Sequence, residues 1–209
     1  LYDPEMKLLR KAWVFVLVLG HSRHMVCRIV FDQKIETWLR LHAEAFSELG
    51  GVPHIIVPDN LKAAVIRAAF GIGDETVLNR SYRELARHYG FVVDPTCARS
   101  PKQKGKVESA VKYVKHNFFA ARKDILDAHV LGLELSRWVR DVAGTLCHGT
   151  TCKRPLEVFE AEEKLALLPA PTQPYDVPLW CSPKIARDHY AQVDRALYSL
   201  PTRLIGRTL

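Results

Sequence analysis

The sequence predicts a mixed α/β domain followed by a small β-rich module. Two apolar, β-branched runs stand close to the N-terminus, and helix-periodic segments then alternate with short apolar strands. Prolines cluster after residue 168, and the last 30 or so residues have strand-like composition with turn signals. We expect a core domain at 1–146, a helical and proline-rich linker at 147–174, and a small β-barrel-like module at 175–209.

The first half of the core is the easiest part to assign. Lys11–Leu19 is apolar after its first residue and typical of a buried strand, and His24–Phe31 predicts a second strand after a short turn. Apolar residues then recur at helical spacing from Ile35 to Leu49, where two glycines end the predicted helix. Pro53–Val57 predicts a short buried strand that stops at Pro58-Asp59-Asn60.

The second half of the core is predicted to be mostly helical. We expect a short helix within 60–70, a helix that Asn79 caps and Gly90 ends, and a strand at Phe91–Val93. A loop is expected from Asp94 to Lys104, because it contains two prolines. Further helices are predicted at Lys106–Arg122, Ile125–Leu146 and Pro155–Leu168.

Composition limits the classes of function. The chain has 209 residues and a formal charge of +7, with a sequence pI near 9.2. Such a balance favours a polyanionic partner without proving one. Five scattered cysteines do not suggest a disulfide framework and suit a reducing cytoplasm, and no apolar run is long enough to span a bilayer.

Asp59 is the first candidate for chemistry. It directly follows a predicted buried strand, and strand ends in open α/β sheets carry functional side chains on a rigid base. The alternative is structural, because an aspartate before Asn60-Leu61 would serve well as a helix N-cap.

Glu108 is the second candidate. It lies on a predicted helix with Lys104 and Lys112 four residues to either side, about 100° from the apolar stripe. An ordinary surface ion pair is the alternative. Six basic residues stand near it in the sequence and would hold phosphates, or else form a solvated helix face: Arg99, Lys102, Lys104, Lys106, Lys112 and Lys115.

The two carboxylates together suggest a metal site. Phosphodiester cleavage and transfer commonly use two divalent ions that clamp the attacking and leaving oxygens. Mg²⁺ prefers carboxylate oxygens, so Asp59 at a strand end and Glu108 on a nearby helix form a suitable pair. Mn²⁺ is an equivalent candidate. Cys147, His148 and Cys152 do not have the spacing of a standard zinc site.

Three stretches carry a family resemblance: Val57–Val65 (VPDNLKAAV), Tyr82–Phe91 (YRELARHYGF) and Pro101–Ser109 (PKQKGKVES). They resemble bacterial insertion-sequence transposases of the IstA type, which belong to the DDE superfamily. The resemblance covers nearly the whole chain and implies an RNase H-like, retroviral-integrase-like core. It also implies a homo-oligomer on double-stranded DNA, an ATPase helper protein and a cytoplasmic, nucleoid-associated location.

The resemblance implies a role for individual residues. Asp59 and Glu108 match the second and third acids of the catalytic triad, and Asn60 and Lys104 match flanking positions that would contact DNA or orient the acids. The family's first aspartate falls before Leu1, so we expect this chain to lack it together with the N-terminal domains; Asp3 is expected in a turn. The alternative to an active core is a catalytically inactive, truncated transposase that only binds DNA and assembles.

Overall fold

The structure is a computed structural model, which describes residues 1–58, 65–67, 77–94, 101–124, 126–178, 183–193 and 195–208. Within three of these stretches, 65–67, 77–78 and 101–104, only the backbone is described. The chain divides into two compact units, Leu1–Val177 and Pro178–Leu209. No helix in the described ranges is long and apolar enough to cross a membrane.

Two antiparallel strand pairs open the first unit. β1 (Tyr2–Asp3) pairs with β2 (Leu8–Leu9), and β3 (Trp13–Val18) pairs with β4 (Met25–Val30) along its whole length. Both long strands confirm the sequence prediction. The β3–β4 turn places Arg23 at a φ of 68°, in the left-handed region.

Helix α1 (Ile35–Leu49) covers one face of the β3–β4 pair. It ends where Gly50 takes a φ of 72° and donates its N–H to the carbonyls of Phe46 and Ser47, as the Gly50-Gly51 signal predicts. Phe15 and Leu19 of β3 are buried with Leu41 and other residues of α1. Because neighbouring side chains of a strand point to opposite faces, Val14, Val16 and Val18 face the other way.

Four short strands and one helix follow. β5 (Ile55–Ile56) runs parallel to β8 (Val92–Val93), and β6 (Val65–Arg67) is antiparallel to β7 (Val77–Leu78). Helix α2 (Arg80–Tyr89) begins at the predicted cap, since the Asn79 side chain accepts the N–H of Ser81, and it ends at Gly90.

The helix predicted within residues 60–70 is wrong for residues 65–67, which form β6. These residues are Val-Ile-Arg, and two adjacent β-branched side chains favour an extended backbone when a partner strand is present. The partner, β7, comes ten or more residues later, so a short helical window could not show it. The rest of the 60–70 segment lies outside the described residues.

Helix α3 (Pro101–Asn117) begins earlier than predicted, so the expected loop over Asp94–Lys104 is wrong at its end. Proline lacks an N–H and has a helix-compatible φ, so Pro101 suits the first position of a helix. The helix also ends before Arg122, and a short 3₁₀ turn occupies Phe119–Ala121.

Helices α4 (Ala128–Trp138) and α5 (Pro155–Val158) complete the first unit. The Asp127 carboxylate accepts the N–H groups of His129 and Val130, which caps α4. Wider helical turns continue α4 through Val139–Ala143 and α5 through Phe159–Glu163. α3 and α4 bury the other face of the β3–β4 pair, with Val114, Phe118, Leu131 and Leu135 packed around Met25 and Cys27.

The second unit contains a single described hairpin. β9 (Tyr190–Val193) pairs in antiparallel register with β10 (Ala196–Ser199), and Ile185 and Ala191 are its buried apolar residues. This β-rich segment follows the prolines, as the sequence predicts.

Candidate functional site

A cavity of about 740 Å³ lies within the first unit. β3 lines one side of it, and the segment Pro53–Pro58, which contains β5, lines another. Helix α1 contributes Thr37, Trp38, Leu41 and His42, while α3 contributes residues from Lys106 to Lys115. Two strands and two helices therefore form much of the described cavity wall.

Helix α3 positions Glu108 at this cavity. Val114 and Phe118 are buried and anchor the helix, with 1% and 0% of their surfaces exposed. Val107 and Val111 are half-buried and line the cavity instead of joining that buried core. Glu108, one residue after Val107, is exposed and lines the same cavity. These four apolar residues of α3 thus divide between the buried core and the cavity wall.

Three lysines of α3 also line the cavity. Lys106 is half-buried, and its Nζ donates to the Gly20 carbonyl over 3.4 Å. Burial lowers the pKa of Lys106, the nearby Arg23 charge lowers it further, and Glu163 opposes both. Lys112 and Lys115 are exposed, so their side chains are available to bind phosphate.

Several of the predicted site residues fall outside this description. Asp59, Asn60 and Arg99 lie outside the described residues, and of Lys102 and Lys104 only the backbone, in the first turns of α3, is described. Pro58, the residue before Asp59 in the sequence, is buried and lines the same cavity as Glu108. The structure thus brings Glu108, Lys106, Lys112 and Lys115 together at one cavity.

Asp3 has a structural role in the first hairpin. It is 3% exposed, and its carboxylate accepts from the Arg10 guanidinium at 2.6 Å and from the N–H groups of Glu5 and Met6. These bonds occupy both carboxylate oxygens. Asp3 is the last residue of β1, directly before the turn in which the sequence predicted it.

One residue of this cavity has no signal in the local sequence. The Glu163 carboxylate accepts the N–H groups of His21 and Ser22 in the β3–β4 turn, and Glu163 also lines the cavity. It comes 141 residues after Ser22, so no motif or periodicity connects the two.

The described residues supply only some of the oxygen ligands that a divalent ion needs. Carboxylate oxygens are the ligands that Mg²⁺ prefers, and Glu108 presents one carboxylate at the cavity. Within the described ranges, no three His, Cys, Asp or Glu side chains form a group that could hold a metal ion. A divalent-ion site at this cavity would need further carboxylates, and Asp59 is the candidate that the sequence supplies.

Comparison with known proteins identifies the domains. Residues 2–101 match the integrase core domain family, and residues 170–209 match the C-terminal domain of Mu transposase. The chain carries an integrase core. This integrase core has the RNase H-like fold class predicted from the sequence, as a mixed α/β unit followed by C-terminal strands.

The relatives of this integrase core are insertion-sequence transposases. The chain is 35% identical to “Putative transposase Rv3428c” of Mycobacterium tuberculosis, over all of this chain and 50% of that protein. It is 30% identical to the transposase for insertion sequence element IS21 of Pseudomonas aeruginosa, over 92% of this chain and 48% of that protein. These matches confirm the resemblance predicted from the three motifs. The chain spans about half the length of these curated relatives.

Proposed function

We propose that this chain is the catalytic core of a DNA transposase, which cleaves phosphodiester bonds at element ends and joins them to target DNA. The observation that carries the proposal is the placement of Glu108 on the wall of the integrase-core cavity, which Pro58 also lines. Asp59 follows Pro58 directly in the sequence. The similarity to transposases along the whole chain supports the same reaction class.

The proposed chemistry assigns distinct roles to the acidic and the basic side chains. Asp59 and Glu108 would hold Mg²⁺ or Mn²⁺ through carboxylate oxygens. The bound ions would supply charge stabilisation for the attacking and leaving oxygens. Lys112 and Lys115, which are exposed beside Glu108, would hold the DNA backbone through its phosphates, and Arg99, Lys102, Lys104 and Lys106 would extend that contact. Asn60 would contact DNA or orient Asp59.

The test is strand transfer by the longest gene product that contains this chain. We expect Asp59→Asn and Glu108→Gln each to reduce Mg²⁺-dependent joining of an element end to target DNA by at least about 10³-fold. Both substitutions keep the size of the side chain and remove its negative charge, so DNA binding should change by less than about twofold. Glu157→Gln is the matched control, because Glu157 is an exposed helical carboxylate that does not line the cavity.

The outcomes separate the two candidate functions. Loss of joining with Asp59→Asn and Glu108→Gln, but not with Glu157→Gln, supports the catalytic core. If the parent protein binds DNA and joins none, the second candidate holds, and the chain is an inactive DNA-binding and assembly module. Near-parental joining by either variant would mean that the carboxylates are wrongly assigned.

The proposed strand-transfer reaction also implies partners for this chain. Two element ends and a target duplex are joined in one reaction, so we propose that the protein acts as a homo-oligomer on double-stranded DNA. The resemblance to IstA-type transposases also leads us to propose that an ATPase helper protein is a partner. It likewise leads us to propose a cytoplasmic, nucleoid-associated location.

A further inference from the structure

Two hairpin loops of the first unit lie side by side next to the cavity, whose wall includes the start of the first loop. Residues 20–23 join β3 to β4 and residues 149–152 come after α4. Each loop is closed by a backbone hydrogen bond between the residues that flank it, 2.8 and 2.9 Å long. The Glu162 carboxylate joins the two loops, because it bonds to the His21 ring at 2.7 Å and to the Lys153 ammonium at 3.5 Å. Side chains from both loops can therefore contact the same ligand.

Three basic side chains converge where the loops meet. Lys106 of α3 reaches the first loop, since its Nζ donates to the Gly20 carbonyl over 3.4 Å. Burial lowers the pKa of His148 and the Arg23 charge lowers it further, as the same charge does for the pKa of Lys106. The guanidinium of Arg23 is therefore close to both side chains. Because Arg23 and Lys106 both carry a positive charge, they repel each other.

The two acids of this region are already engaged. Each oxygen of the Glu163 carboxylate accepts one backbone N–H of the first loop, at 3.1 and 2.9 Å, and Glu162 holds the two loops together. Arg23, Lys106 and Lys153 outnumber these two acids by one charge. Among the residues that the structure describes, no carboxylate forms an ion pair with Arg23 or Lys106. The region therefore keeps an excess of positive charge.

Two polar atoms of these loops are buried without a partner. They are Nη1 of Arg23 and Oγ1 of Thr151, and neither forms a hydrogen bond within the described part of the chain. Burial of an unpaired polar group is unfavourable, and more so when the group is charged. Arg23 also has a φ of 68°, a left-handed conformation that glycine or asparagine adopts more readily. Turn geometry and packing thus do not account for an arginine at this position, whereas an anionic ligand would.

His148 adds a neutral donor to this set. Its Nδ1 accepts the N–H groups of Thr150 and Thr151, both over 3.4 Å. An acceptor Nδ1 leaves the hydrogen of a neutral imidazole on Nε2. Arg23, Lys106 and His148 therefore offer donors, and a ligand that contacts all three must be rich in acceptor oxygens and negatively charged. A phosphate group has this chemistry.

We propose that Arg23, Lys106 and His148 form a binding site for one phosphate of the DNA backbone. This site rests on the proposed function, which makes DNA the ligand, and it adds contacts from two loops to those of α3. The Arg23 guanidinium donates two parallel hydrogen bonds to phosphate oxygens, and Lys106 and His148 donate one each. The phosphate neutralises the repulsion between Arg23 and Lys106. Lys106 also lines the cavity with Glu108, so a strand held here leads to that cavity.

The salt dependence of DNA binding tests the site in the longest gene product that contains this chain. We expect Arg23→Gln to weaken binding and to reduce the magnitude of the slope of log K against log salt by about 0.9, the value for one phosphate. Arg23→Lys keeps the charge, so it should restore the slope and only part of the affinity. Arg140→Gln is the matched control and should leave the slope unchanged, because Arg140 is exposed, pairs with Asp141 and does not line the cavity.

Thermal unfolding of the free protein separates a ligand contact from a structural one. Arg23 Nη1 has no hydrogen-bond partner in the described part of the chain, so Arg23→Gln should unfold at the parental temperature or above it. An arginine that holds the two loops together would instead lower the unfolding temperature when replaced. The predicted combination is therefore weaker DNA binding without a loss of stability.

NMR titration of the His148 ring distinguishes a DNA phosphate from free phosphate. A bound phosphodiester places negative charge beside the ring, so the pKa of His148 should rise when a DNA duplex binds. An equal concentration of inorganic phosphate should leave this pKa unchanged. His129, which is exposed on α4, is the control ring, and its pKa should rise less than that of His148.

Three results would overturn the proposal. The first is an unchanged salt slope in Arg23→Gln. The second is a lower unfolding temperature in that variant, which would make Arg23 a structural residue. The third is a rise in the pKa of His148 with inorganic phosphate but not with DNA, which would assign the site to a free anion. None of these measurements involves strand joining, so the proposed catalysis can stand when they fail. A parent protein that binds no DNA would refute the proposed function as well.

Discussion

Acidification is expected to destabilise the first unit because His42 is buried in its neutral form. His42 lies on α1 with 2% of its surface exposed, and its ring contacts Phe15, Trp38, Phe46 and Tyr82. Its Nδ1 lies 2.9 Å from the Trp38 carbonyl oxygen, and its Nε2 lies 3.4 Å from the Tyr82 hydroxyl. Burial lowers its pKa to about 4, against an ordinary value of 6.5, and the hydrogen bond to the Trp38 carbonyl opposes that shift.

The magnitude follows from the linkage between protonation and folding. The unfolded chain protonates His42 below about pH 6.5, while the folded chain resists protonation until about pH 4. The free energy of unfolding is therefore fully retained above pH 6.5 and falls with pH across this window. At about 1.4 kcal/mol per pKa unit, the total loss is about 3 kcal/mol, of which about 2 kcal/mol appears between pH 7.5 and pH 5.

Urea unfolding of the parent and of His42→Phe at these two pH values measures the effect. Phenylalanine keeps the ring contacts and cannot titrate, so the variant should lose at least half of the pH dependence, whatever its absolute stability. His24, whose pKa burial also lowers, accounts for a remaining part of the same sign. Equal pH dependence in parent and variant would refute the assignment to His42.

Two further predictions concern the proposed DNA-binding face of α3 and the packing of two glycines. Lys112→Ala and Lys115→Ala should each weaken DNA binding and reduce the magnitude of the slope of log K against log salt by about 0.9. Lys123 is exposed and does not line the cavity, so Lys123→Ala should leave the slope unchanged. Slopes unchanged in Lys112→Ala and Lys115→Ala would make these lysines a solvated face. A Cβ on Gly51 would lie 2.7 Å from the Cβ of Leu167, so Gly51→Ala should lower the free energy of unfolding by about 1–3 kcal/mol. Gly132 lies within α4 with nothing within 4 Å of an added Cβ, so Gly132→Ala should raise it by up to about 1 kcal/mol; thermal unfolding that ranks the two glycine variants in reverse would contradict this packing.

The sequence predicts well those elements whose causes are local. The apolar run around Trp13–Val18, the glycines after Leu49 and the Asn79 cap each act within a few residues, and the structure confirms all three. β6 could not be predicted in the same way, because Val65–Arg67 depends on a partner strand that comes later in the chain.

The candidate site also has a part that local sequence predicts and a part that depends on tertiary packing. Helical periodicity alone indicates that Glu108 and Lys112 share a face, and the structure shows both residues at one cavity. The cavity itself depends on β3, β5 and two helices meeting in space, and Glu163 reaches it from 141 residues beyond the turn that it caps. Such contacts are set by tertiary packing, which leaves no periodic signal in the sequence. The role of Asp59 stays a prediction.

The central claim is that Asp59 and Glu108 bind the same metal centre. Fe²⁺ that replaces Mg²⁺ in such a centre generates hydroxyl radicals, which cut the polypeptide close to the residues that hold the ion. With ascorbate and peroxide, we predict cleavage near residues 59 and 108 together, suppressed by excess Mg²⁺ and lost at both positions in Asp59→Asn and in Glu108→Gln. Cleavage at only one of the two positions, or persistence of both cuts in either variant, would contradict the account.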